Sequence, residues 1–231
     1  EEDGLGPALP GSQHVPVGKA ATGGEAAETI ESDPPREDVA HVHVDRGEAG
    51  AAMEQENLAV CELVDRELLS RSFSLAVDCH SGFGLADRIW FPYAHTRAPM
   101  AHLAEMHALW RIFTQSHAQH RYLFEPQSLQ YLAHGDLWDY LYQRASTRAS
   151  GVFLPLTLEM GSWLWVKKNP RQLFSRLGIF NPLIAHRLQR VLRRHQSLLD
   201  FLSRAACGHR LWLPDPDARA RHHAQALQDW Y

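Results

Sequence analysis

Two apolar runs stand out along the chain, and both stop at ionisable residues followed by glycine. The first, Phe73 to Val77, ends in Asp78-Cys79-His80-Ser81-Gly82; the second, Val152 to Leu158, ends in Glu159-Met160-Gly161. Short, mostly apolar runs of this kind predict buried strands, and the glycines end them. A histidine and a glutamate at the carboxyl ends of sheet strands lie where α/β sheets place their chemistry. The pattern therefore predicts that His80 and Glu159 face one cavity, His80 as a metal ligand and Glu159 as a general base.

Between and around these strands the period changes to that of helices. Leu58, Cys61, Val64 and Leu68 recur at helical spacing and predict an amphipathic helix over 53–70. Arg88 to Tyr93 reads as another strand, with Pro92 placing it near an edge or bulge. Pro99 opens a helix to about Ser116, and Gly135 to Arg144 reads as a short aromatic helix. Pro170 to Gly178 predicts a helix, as does the longer stretch from Pro182 to about Ala206 with its outward arginines. Residues 214–231 read as a tail. The fold class implied is α/β: a mixed, mostly parallel sheet with helices on both faces and the site at the strands' carboxyl ends.

Charge divides the chain unevenly. Residues 1–56 carry thirteen acidic and three basic side chains, about −10, which leaves about +6 for the rest of a chain of net charge −4. No aromatic residue precedes Phe73. Residues 1–52 therefore read as a disordered or loosely attached acidic segment, its His41-Val-His43 pair a solvated one. The three cysteines, Cys61, Cys79 and Cys207, are odd in number and unclustered, which argues for reduced thiols, with Cys79 a buried small hydrophobe. No apolar run spans a bilayer and no secretory leader is visible, so a cytoplasmic protein with no membrane partner is expected. The basic helix reads as a solvated outer face rather than a nucleic-acid surface.

From about Met53 to Ala206 the chain resembles the catalytic half of the zinc carboxypeptidase family. The residues that carry the likeness are Asp78-Cys-His80-Ser-Gly-Phe-Gly, Ile89-Trp-Phe-Pro-Tyr-Ala, Tyr131 to Tyr140, and Thr157-Leu-Glu159-Met-Gly-Ser. The resemblance implies a catalytic domain over 53–213 that holds one Zn²⁺ through two histidines and a glutamate, with His80 as the third ligand. It implies Glu159 as general base and acid and Tyr131 as the tyrosine that covers the substrate. Ser81 and Trp138 are implied on the substrate side, Trp138 as a wall of the specificity pocket. Peptides, or small acylated amino acids, are the implied substrates. One feature departs from the pattern: residues 1–79 contain no His-x-x-Glu to supply the first two ligands, and no arginine upstream matches a substrate-carboxylate anchor. A carboxyl-terminal fragment, an altered amino-terminal stretch or a degenerate metal site would each account for it. A non-catalytic binding module that keeps the cavity stands as the alternative from a different class.

Overall fold

A computed structural model of the protein describes residues 53–82, 84–148 and 151–231. The acidic segment with His41 and His43 lies outside the described residues. Strands β1 (Phe73–Ser81) and β4 (Val152–Met160) form over the two apolar runs; β2 (Arg88–Phe91) and β3 (Leu123–Pro126) are shorter. They make one sheet in the order β1-β4-β2-β3. β1 pairs with β4 in parallel and β2 with β3 in parallel, while β4 and β2 run antiparallel, so the sheet is mixed.

β2 corrects an expectation. It lies inside the sheet, paired on both sides, rather than near an edge. The strand ends at Phe91, so the residue that lacks an N–H, Pro92, falls just beyond the ladder. β3 has no counterpart among the predicted elements: four residues, two of them Glu and Pro, carry too little periodicity to be read as a strand.

Seven α-helices occur among the described residues: α1 (Gln55–Glu67), α2 (Leu103–Ser116), α3 (Leu137–Ser146), α4 (Trp163–Lys168), α5 (Ala185–Cys207), α6 (His209–Trp212) and α7 (Pro216–Trp230). α3 starts where Asp136 caps it, its carboxylate accepting the Asp139 N–H at 2.8 Å. The helix predicted from Pro170 to Gly178 is instead a single 3-10 turn, Pro170–Phe174.

The expected tail at 214–231 is also corrected. Asp215 caps α7 by accepting the Ala218 N–H at 2.8 Å, and Pro216 occupies the first turn, where its missing N–H is not needed. α7 then buries Ala226 and Trp230, the latter 4.7 Å from the Phe91 ring, and Arg219 pairs with the buried Glu105 of α2 at 2.7 Å. The described residues, this helix included, cluster as one compact unit.

The pleat sorts the strand side chains into two sets. Leu154, Leu156 and Leu158 are at most 1% exposed, with Ile89 and Phe124 in register beside Leu158 on the same face. Truncating one of these leucines to Ala costs about 2–5 kcal/mol. The other face carries Asp78, His80, Thr157 and Glu159. Of the thiols, Cys61 is buried, whereas Cys79 is exposed, against the expectation that it packs in the core.

Candidate active site

The site follows from strand register. His80 lies opposite Glu159 across the parallel β1–β4 pair, and Glu159 lies opposite Arg88 across the antiparallel β4–β2 pair. Two residues back along β1 and β4, and two forward along β2 and β3, Asp78, Thr157, Trp90 and Glu125 make a second row on the same face. A sheet whose other face is apolar thus presents three acids, an imidazole and a guanidinium within two rows.

The end of β4 is fixed by close packing. A Cβ on Gly161 would lie 2.8 Å from the Ala86 backbone, so only glycine lets the strand press against the 86–87 turn. The Gly161 N–H then donates to Asp87 Oδ1 at 2.8 Å, and Asp87 Oδ2 pairs with Arg194 of α5 at 3.0 Å. Glu159, two residues earlier, is held 6% exposed with its carboxylate turned to β1.

His80 stands between two carboxylates. Its Nε2 donates to Asp78 Oδ2 at 2.8 Å, and its Nδ1 is 3.5 Å from Glu159 Oε1. The Asp78 bond and then Glu159 push the imidazole up to about 10, against a smaller opposing effect of burial. The same bond holds the Asp78 carboxyl below its ordinary range, helped by the Trp138 indole N–H, which donates to Asp78 Oδ2 at 2.9 Å. Tyr131 packs edge-on against Trp90, ring centroids 5.8 Å apart, and is about half exposed. Burial, and then the Glu159 charge, raise its phenol. Trp90 is itself anchored: its indole donates to Glu125 Oε1 at 3.2 Å, and the same oxygen accepts from Arg88 and from Gln130.

Of the residues predicted from sequence, His80, Glu159, Tyr131 and Trp138 come together. Trp138 does more than line a wall, because its N–H orients Asp78. Ser81 does not join them: the pleat places it on the face opposite His80, in register with Met160. Sequence reasoning assigned no role to Asp78, although Asp-x-His on one strand puts both side chains on one face. Glu125 was beyond reach because β3 was not recognised.

The zinc implied by the resemblance needs at least three protein ligands around an open position. Among the described residues no group of three or more His, Cys, Asp or Glu side chains stands where it could hold one ion. A His-x-x-Glu does occur at His102–Glu105, but His102 Nδ1 meets the Tyr142 hydroxyl at 2.9 Å and Glu105 is paired with Arg219. The described residues by themselves therefore do not fit a zinc ion. Among them, no helix is long and apolar enough to cross a membrane. Comparisons with protein-family models, with curated proteins and with solved structures find no match for the chain.

Proposed function

We propose that the chain carries the base-bearing part of a hydrolytic site of carboxypeptidase type, on a carboxypeptidase-like fold, that cleaves a peptide or amide bond. The observation that supports this best is the facing of His80 and Glu159 from the carboxyl ends of two adjacent parallel strands, Nδ1 to Oε1 3.5 Å. In this reading Glu159 takes a proton from the attacking water and returns it to the leaving nitrogen. Tyr131, whose raised phenol stays protonated, donates to the developing oxyanion or the leaving amine. Asp78 holds His80 by Nε2 and leaves Nδ1 toward Glu159, as carboxylates behind ligating histidines do. Trp138 borders the substrate. The resemblance implies zinc, for which the described residues supply His80 alone, and that ring would have to lose its Nδ1 proton to ligate a metal. The substrate class is a peptide or an acylated amino acid.

That the described residues hold no ligand trio favours a second reading, a binding module without catalysis. Hydrolysis of an acyl-dipeptide and of an acylated amino acid, each measured with and without added Zn²⁺, separates the two. The first reading expects metal-dependent hydrolysis that His80→Ala removes. A chain inactive on both substrates with zinc present leaves the second.

A further inference from the structure

Residues 160–199 contain eight Lys and Arg and no Asp or Glu, in a chain whose net charge is −4. Arg194 is paired with Asp87, but Lys167, Lys168, Arg171 and Arg176 are exposed. The same stretch turns large apolar side chains outward: Phe174 is 93% exposed, Leu177 57% and Leu173 56%.

This exposure is built into the loop. Gln172 is buried at its centre, and its side-chain amide donates to the carbonyls of Gly178 at 2.9 Å and Asn181 at 3.2 Å. The Ser175 and Gly178 N–H groups close successive turns on Gln172 and Ser175 at 3.0 Å. A Cβ on Gly178 would come within 1.8 Å of the Gln172 carbonyl oxygen, so the closure admits no side chain there. A polar amide is thus inside and two leucines and a phenylalanine are outside, the inverse of the usual partition.

A folded loop that displays apolar tips among cations matches an anionic lipid interface in both charge and polarity. The tips enter the acyl boundary while the cations stay at phosphate level. On a nucleic acid only the Phe174 ring could stack, which leaves Leu173 and Leu177 uncovered, and an acidic peptide alone would leave all three uncovered. We propose that residues 167–177 form a peripheral docking surface for an anionic phospholipid bilayer. The expectation of no membrane partner was drawn from the lack of a spanning run; this surface lies on a bilayer without crossing it. It also adjoins the candidate site. The Phe180 ring lies 3.0 Å from where a Gly82 Cβ would stand, and the Trp163 indole donates to the Gly82 carbonyl at 2.9 Å, both just past the end of β1.

Co-sedimentation of the full chain with vesicles of phosphatidylserine or of phosphatidylcholine tests the proposal. Binding to the first and not the second is expected, weakening as salt is raised. The double variant Phe174→Ser/Leu177→Ser should lower the partition coefficient by at least about tenfold. Lys167→Glu and Lys168→Glu should each lower it by at least roughly fivefold. All four side chains are exposed, and circular dichroism checks that the variants fold. No binding to phosphatidylserine, equal binding to both lipids, or full binding by the serine variant overturns the proposal. Tighter binding to polyglutamate or to DNA, indifferent to Phe174, also overturns it and assigns the cations to a macromolecular partner.

Discussion

Two histidines, His80 and His107, show how one side chain takes opposite states in two regions of the same molecule. Both have a carboxylate at Nε2: Asp78 Oδ2 at 2.8 Å for His80, Asp229 Oδ2 at 3.1 Å for His107. They differ at Nδ1 and in burial. His80 faces a second carboxylate, Glu159, with its side chain 50% exposed; His107 meets His222 Nδ1 at 2.8 Å with its side chain 1% exposed, packed near Trp110 and Trp230. For His80 the two acids outweigh desolvation and hold the ring charged. For His107 desolvation outweighs one half-exposed acid, and the pKa is lowered. A neutral His107 that donates from Nε2 to Asp229 accepts at Nδ1, which makes His222 the donor there. The α2–α7 contact thus uses its histidines as neutral packing groups, whereas the end of β1 keeps one charged and accessible. What separates a site from a core here is the second acid and the solvent, not the residue type.

The largest effect expected from this contrast is on stability. His107→Ala should cost about 2–4 kcal/mol, since it opens a cavity among aromatic rings and leaves His222 without its partner. His80→Ala should cost within about 1 kcal/mol, as a substitution at a half-exposed strand end. Urea unfolding of both variants compares them directly, and equal losses would erase the distinction.

Asp78→Asn sharpens the other side of the comparison. It removes the acid that contributes most to the raised His80 pKa and the acceptor of the Trp138 N–H. The expected loss in hydrolysis is roughly 10–100-fold, the range found for partners behind ligating histidines. Trp138→Phe removes the indole donor to Asp78 and keeps an aromatic ring at the same position, so it should lie closer to wild type.

The smallest effects are those of pH, and the two regions give opposite signs. His107 and His222 have lowered pKa values in the fold, so the unfolded chain takes up protons first. The stability they contribute is present above about 6.5 and is lost as the pH falls below it. His80 has a raised pKa, so its contribution is full below about 6.5 and is lost as the pH rises through about 10. His107→Gln should therefore flatten the acid limb of stability against pH, and His80→Gln the alkaline limb, the latter weakly because the group is half exposed.

The starts of the two strands that carry the candidate site, Phe73 and Val152, were legible in the sequence, but β1 runs on from Val77 to Ser81 and β4 from Leu158 to Met160, so Asp78 and His80 lie in the ladder rather than in a loop. Their pairing was not legible: nothing local to Phe73–Ser81 or Val152–Met160 says that they are neighbours, and the register that sets His80 against Glu159 is a tertiary fact. Two ionisable residues at strand ends suggested the pair and the resemblance added to it, but neither gave the register. β3 and α7 were missed for the same physical reason, since both are anchored by few residues. Glu125 holds β3 to β2 through Arg88 and Trp90, and Ala226 and Trp230 are the buried residues of α7. Pro214-Asp-Pro-Asp217 carried the opposite signal to the one read from it, because an aspartate followed by proline starts a helix as readily as it marks a tail.

The central claim is that Glu159 moves the proton in hydrolysis, and the rate of Glu159→Gln against wild type, with zinc in the buffer, tests it most directly. Glutamine keeps the shape and lacks the base, so the account expects kcat to fall by about 10²–10⁴-fold with KM and the folded state little changed. A Glu159→Gln protein that retains most of the wild-type rate contradicts the account.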